Sequence, residues 1–371
     1  MLKKTGIKYG DVTWLESVHL ALTLGIRLPL VILWKLFVNL HKIVDPYKFV
    51  RTVSLSVGRD LLGTLNGAQV QKFLPTSVGF YKLWAKLRGV EVRIEELVDE
   101  TVLLWIGPKR TDKVILYAHG GAYIVPLLLQ SLDFAQYLQS ALKTKGHDVG
   151  IAILAYSLVP TVGLEGQLAQ TTRAVEHILA SGVKPENLHL MGDSAGAQLM
   201  LAFLSHLLHP LDNIRRLPLA SPFGSMYMMS PWSAFSMESP SMQENADKDL
   251  LSVRSMPDWI KTVSAQFTSQ PAVNPFTSPA KAPEGWFNGL DALVRRVLVT
   301  GGSDEIFRDD INTLAAKLEK EKGKIQMTFV MQPGGVHIDP EVDFLCMVGP
   351  KRNTLTPVIV QWFAEGLSGF S

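Results

Sequence analysis

The sequence predicts an α/β fold organised on a mostly parallel, doubly wound sheet of about eight strands. Three observations carry this. From residue 90 onward, short β-rich runs alternate with amphipathic helical stretches, the pattern of consecutive βαβ units. The runs at 113–118, 149–155 and 188–191 are apolar almost without interruption, as strands covered on both faces must be. Each ends in a loop containing small residues, and right-handed crossovers bring those ends to one edge of the sheet, where such folds bind ligands.

Composition bounds the function. With 371 residues, 47% of them hydrophobic and 19% charged, the chain is globular and long enough for a large core. A formal net charge of +2 and the lack of a long basic run argue against nucleic acid as a partner. The single cysteine, Cys346, excludes an internal disulfide, and its neighbours Phe344, Leu345, Met347 and Val348 predict a buried, unreactive thiol. Together with the lack of a clear signal peptide, this points to an intracellular protein, cytoplasmic or held at a membrane surface.

The N-terminal region, 1–88, reads as helical. It opens with Lys3, Lys4 and Lys8 and turns strongly apolar from residue 20 to 37. A spanning helix needs about 20 mostly apolar residues, and here Arg27 and Pro29 interrupt the run while Lys35 lies near its end. An arginine at mid-bilayer costs about 2.5–3.5 kcal/mol on insertion scales. The expectation is a pair of amphipathic helices packed on the protein, with contact to a membrane surface as the second reading and a true span as the third. Residues 62–88 read as helical patches broken near Pro75.

Residues 90–94 alternate at period two and 101–106 are β-rich, so both read as strands. The strand at 113–118 ends in His119-Gly120-Gly121-Ala122-Tyr123, where paired glycines let backbone N–H groups face a crevice; a plain turn is the competing reading. The following Pro126-Leu127-Leu128-Leu129 is too apolar for a surface loop and is expected to line a greasy pocket. Helices at 132–145 and 164–180 flank the strand at 149–155. Leu188, Leu190 and Met191 then lead into Gly192-Asp193-Ser194-Ala195-Gly196 and a helix reaching about Leu208. Strand, sharp turn and helix is the setting of a nucleophile elbow. The serine is forced toward positive φ, and Gly192 and Gly196 remove Cβ atoms that would collide. The pattern alone is a weak signal.

Beyond it, His206 and His209 finish the helix rather than bind metal, since no acidic ligand accompanies them. Residues 225–230 read as a strand stopped by Pro231. The stretch 232–291, rich in Ser, Pro, Met and aromatics such as Trp259, Phe267 and Trp286, reads as an excursion from the sheet. Strands at 296–300 and 325–331 enclose a helix at 307–321, whose first-turn Asp309 and Asp310 complement its dipole. A helix at 357–367 closes the chain.

The segments His119-Gly120-Gly121-Ala122, Tyr156-Ser157-Leu158-Val159-Pro160 and Gly192-Asp193-Ser194-Ala195-Gly196 resemble the α/β-hydrolase fold. More narrowly they resemble hormone-sensitive-lipase-like esterases, nearest to fungal steryl acetyl hydrolase-like and natural-product-pathway members. The resemblance covers roughly residue 90 to the C-terminus. It implies a core in two parts, 89–231 and 292–371, with residues 1–88 and an insertion at 232–291 forming a helical cap. The family usually has three glycines after the histidine; the third is Ala122 here, which keeps its backbone N–H and narrows the acyl pocket.

On this reading Ser194, Asp304 and His337 follow three strands in the Ser…Asp…His order of α/β-hydrolases and form the expected catalytic triad. Asp339, with no strand end of its own, is the weaker rival acid. The backbone N–H groups of Gly121, Ala122 and Ala195 are the expected oxyanion hole. Tyr123, Leu127 and Trp232 are expected in the substrate pocket, and no cofactor or metal is expected. The expected activity is serine-dependent hydrolysis of an apolar small-molecule ester with a short acyl group such as acetyl. Two alternatives stay open: the same machinery used for acyl transfer, cyclisation or condensation in a fungal secondary-metabolite pathway, and, more distantly, a non-catalytic ligand receptor. Membrane-surface contact through the N-terminal helices and a homodimer stay open as partner readings.

Overall fold

The structure, a computed structural model, describes residues 4, 6, 8–266 and 274–368. Lys3 and Phe267 lie outside these residues. Eight strands form one sheet in the order β1-β2-β4-β3-β5-β6-β7-β8. They are β1 (Ile94–Glu96), β2 (Val102–Ile106), β3 (Val114–Ala118), β4 (Gly150–Leu154), β5 (Leu188–Asp193), β6 (Ser225–Met229), β7 (Arg296–Gly302) and β8 (Gln326–Gln332). β2 runs antiparallel to both β1 and β4, and every pairing from β4 to β8 is parallel. The first strand is the one misplaced by sequence pattern. Gly89, at φ +64°, ends the preceding helix, and Val90 still bonds back to Ala85, so pairing starts only at Ile94.

The N-terminal region contributes α1 (Trp14–Leu22), α2 (Leu28–Val38), α3 (Pro46–Leu62), α4 (Gly67–Phe73) and α5 (Ser77–Arg88). Between strands lie α6 (Leu129–Thr144), α7 (Leu164–Ala180) and α8 (Ser194–Leu208). The excursion after β6 holds the short α9 (Ser241–Glu244) and α10 (Met256–Ser264). α11 (Arg308–Glu321), α12 (Asp339–Leu345) and α13 (Leu355–Leu367) complete the chain. Alternate residues of each central strand enter opposite cores. On β3, Leu116 and Ala118 join the cluster on one face, and Ile115 and Tyr117 the cluster on the other. That two-sided burial is why these strands lack a polar face.

Register decides where the loops meet. Ala118 pairs with Gly192, Asp193 with Met229, Met229 with Thr300, and Gly302 with Gln332. The loops leaving β3, β5, β6, β7 and β8 therefore open on one edge.

The N-terminus departs from expectation. α1, a π-turn at Thr23–Arg27 and α2 form one continuous helix, Trp14–Val38, instead of two separate helices, and only part of it packs on the protein. It is long and apolar enough to cross a membrane, by length and composition. Leu20 packs against Leu65 and Val70, but many of the helix's other large apolar side chains stay in solvent: Leu30 is 61%, Leu33 63% and Phe37 67% exposed. Pro29 directly follows the π-turn, a local irregularity of the kind that accommodates a residue lacking its N–H inside a helix. Arg27, counted above as a lone mid-run charge, pairs with Asp60 of α3 at 2.8 Å.

Candidate active site

Ser194 opens α8 directly after β5, with φ at +50°. A non-glycine residue in that region is held by its surroundings rather than by preference. The surroundings are two glycines. A Cβ at Gly192 would lie 2.5 Å from the backbone of Gly196 and Ala197, and one at Gly196 only 2.0 Å from the Ala118 carbonyl oxygen. Strand β3, the elbow and α8 can approach this closely only without those atoms.

The glycine loop after β3 is tied to the elbow from below. The buried Asp193 carboxylate accepts the Gly120 N–H at 2.7 Å and the Tyr117 hydroxyl at 2.6 Å. Tyr117 also lies 2.8 Å from the buried Glu341, which accepts from Ser131 at 2.6 Å. Burial pushes Asp193 up to about 6 and Glu341 well above the carboxylate range, and each favours the other's neutral form across Tyr117. Gly121 and Ala122, both at positive φ, line one cavity with Ser194. Ala195 follows Ser194 in the first turn of α8, where N–H groups have no partner one turn back.

His337 lines the same cavity, in the loop between β8 and α12. Its ring Nδ1 lies 2.9 Å from Oε2 of Glu305, and both side chains are buried. When Glu305 is ionised it only accepts, so the ring then donates from Nδ1 and keeps Nε2 as the acceptor. Burial pushes the Glu305 carboxyl up to about 8, while the Gly302 N–H at 2.6 Å and the Ser230 hydroxyl at 3.2 Å pull it part of the way back toward the charged form. Burial lowers the His337 pKa, with Asp249 and Asp193 pulling it back up, so the ring is neutral at pH 7 and free to accept a proton.

The expected acid, Asp304, is not beside this ring. Its N–H continues the β7–β8 pairing by donating to Gly335, which leaves its side chain toward solvent, 3.9 Å from Lys248. The chain then turns, Glu305 N–H donating to the Gly302 carbonyl, and carries the next side chain inward. Two adjacent carboxylates gave the sequence no means of choosing. The only hint was that Glu305 leads into the apolar Ile306-Phe307. The rival Asp339 accepts from Val336 N–H, Gln332 and Asn353 and pairs with Arg51 of α3; it braces the loop and does not meet the ring.

Of the three expected pocket residues, Trp232 lines the cavity. Tyr123 and Leu127 do not. Tyr123 is buried in the core with its hydroxyl on Gln198 of α8, and Leu127 packs into the core on the opposite face of the sheet. Val125, Pro126 and Leu128 occupy the wall instead, joined by Leu62 from α3 and by Leu250, Met256 and Trp259 from the excursion. The cavity is small, about 100 Å³. Histidines 206 and 209 face the backbone of Arg215 and Trp286 respectively.

The model of the alpha/beta hydrolase fold family matches residues 115–338, and the chain belongs to that family. An acetyl-hydrolase from Streptomyces hygroscopicus is 30% identical over 213 residues, 57% of this chain and 63% of that protein. An esterase from Acinetobacter venetianus is 28% identical over 214 residues, 57% of this chain and 63% of that protein. The chain thus spans less than two thirds of the length of these curated relatives. An esterase from the bacterial hormone-sensitive lipase family has a similar solved structure, with TM-score 0.61, 20% identity and coverage of 85% of this chain and 98% of that one. An esterase/lipase from an uncultured bacterium matches with TM-score 0.58 and 20% identity, covering 85% and 99%. At that identity these two share the fold.

Proposed function

We propose that the protein is a serine carboxylic ester hydrolase of the hormone-sensitive-lipase-like type, with Ser194 as nucleophile, His337 as base and Glu305 as the acid. The observation that carries this is a strained, glycine-flanked Ser194 and a buried His337, held by Glu305, lining one cavity. His337 Nε2 takes the Ser194 proton as Oγ attacks the ester carbonyl, then returns it to the leaving alcohol. Glu305 holds the tautomer and offsets the imidazolium charge. The N–H groups of Gly121, Ala122 and Ala195 meet the oxyanion, and water releases the acid. The small, mostly apolar cavity and the acetyl-hydrolase relative support a short acyl group on an apolar alcohol. The test is labelling by a fluorophosphonate, lost in Ser194→Ala and His337→Ala, followed by p-nitrophenyl esters from acetate to palmitate. The expected preference is for chains of up to about six carbons; a preference for palmitate overturns the short-acyl part.

The Trp14–Val38 helix supports a second proposal, contact with a membrane surface. The helix is held to α3 through Arg27 and Asp60, and it presents Leu30, Leu33 and Phe37 to solvent. A helix so held lies along the interface with its apolar side in the lipid. The protein should float with liposomes, and Leu30→Glu combined with Leu33→Glu should release it. Equal flotation of the double variant counts against this surface.

A further inference from the structure

The excursion after β6 reaches into the acid–base loops through a short turn, residues 245–249, that sequence reasoning passed over. Asp249 is fully buried and ringed by N–H donors. Its Oδ1 accepts from His337 N–H at 2.8 Å and from Leu250 N–H at 2.7 Å, and its Oδ2 accepts from Ile306 N–H at 2.8 Å. One carboxylate thus bridges the residue after Glu305 to the backbone of His337 itself. Asn245 reinforces the same join, donating to the carbonyls of Ser303 at 3.0 Å and Glu305 at 2.9 Å. From the other side, Arg59 of α3 donates to the Asp249 carbonyl.

We propose that Asp249 is a positioning residue for the reaction: it clamps the Glu305 and His337 loops at their working separation, so the acid–base pair is complete only with the excursion docked. This rests on the catalytic reading above. The chemistry calls for a carboxylate. Three N–H groups converge on two oxygens, and an amide would turn its own N–H₂ toward one of the donors. An apolar side chain would leave the buried Ile306 and His337 N–H groups without acceptors. A group that only filled space there would carry the cost of a buried charge with nothing to show for it. Burial pushes the Asp249 carboxyl up to about 6, so at neutral pH it is charged.

The same charge acts on the ring. The groups that bear on His337 are Glu305 at Nδ1, Asp193 from the end of β5 and Asp249 from the excursion; the positive Arg59 lies on the far side of Asp249. A negative Asp249 favours the imidazolium, so its removal lowers the His337 pKa further. The acid limb of kcat/KM, which reports the neutral base, then moves to lower pH.

The experiment compares wild type, Asp249→Asn and Ser194→Ala by fluorophosphonate labelling rate, p-nitrophenyl acetate turnover and thermal melting. A folded Asp249→Asn is expected to label and turn over about 10- to 100-fold more slowly, with KM within about threefold, and with the acid limb lowered by about one unit. Wild-type labelling rate in a folded variant overturns the proposal. So does a slower variant whose acid limb has not moved, because that marks a merely structural loss. If the asparagine variant does not fold, Asp249→Ser, which leaves room for bridging water, carries the same comparison. Retention of labelling by Ser194→Ala defeats the serine reading itself. Loss in Ser194→Ala together with normal Asp249→Asn defeats the clamp alone.

Discussion

The two halves of the candidate site are made in different ways. The nucleophile half is largely local: five consecutive residues set a strand, a strained serine and a helix start, the clash that demands Gly192 is within the elbow, and only the one that demands Gly196 reaches to the distant β3. The acid–base half is assembled from afar. Glu305 and His337 are joined through Ser230, Asp249 and Asn245, while Asp339 beside them is held by Arg51 from the N-terminal helices. A local device can be read from a motif, whereas a device assembled at long range depends on which of several neighbours the chain turns inward.

The largest expected effect lies on the local half. Ser194→Ala should cut p-nitrophenyl ester turnover by at least about 10⁴-fold, since removing a nucleophile leaves only binding and the oxyanion donors. Next comes the choice between adjacent carboxylates. Glu305→Gln should lower kcat by about 10³- to 10⁴-fold by upsetting the tautomer. Asp304 is half-exposed and 3.9 Å from Lys248, so Asp304→Asn should change kcat by less than about threefold. The reverse ranking would make the Glu305 contact incidental and return the acid to Asp304.

That contrast also measures how legible the molecule was. Helix 164–180 was bounded correctly, and the strand before Ser194 and the helix after it were evident, because apolar period and glycine punctuation are local signals. His337 was found as a histidine in a loop at the correct edge. Glu305 was missed by one position, since the inward turn at Gly302 depends on pairing with β8, which no local pattern reports. Tyr123 and Leu127 were misplaced for a related reason. Positive φ at Ala122 and Tyr123 redirects the chain, so counting along it does not tell which side chains reach the cavity. The N-terminal helix was read as covered because Arg27 seemed to forbid exposure to lipid, and the Asp60 that answers that charge lies on another helix.

A smaller effect, on stability more than chemistry, comes from the flanking glycines. Gly196→Ala places a Cβ 2.0 Å from the Ala118 carbonyl oxygen, and Gly192→Ala places one 2.5 Å from the backbone of α8. Backbone cannot step aside as a side chain can. Each variant should lose about 1–3 kcal/mol or more, read as a lower melting temperature, with Gly196→Ala the worse. Melting curves equal to wild type would show the elbow to be looser than its contacts imply.

The smallest effect is at Ala122, where two opposing contributions can be weighed. An L-residue near φ +53° carries a steric cost of about 1–2 kcal/mol that glycine avoids. Glycine in turn gives the unfolded chain more freedom, which costs about 0.4–1 kcal/mol. Strain outweighs entropy here, so Ala122→Gly should raise stability by about 0.5–1 kcal/mol. Its backbone N–H is unchanged, so fluorophosphonate labelling should stay within about twofold of wild type. If labelling instead rises strongly while stability does not move, the alanine methyl is limiting the acyl pocket, and longer p-nitrophenyl esters should then gain more than acetate.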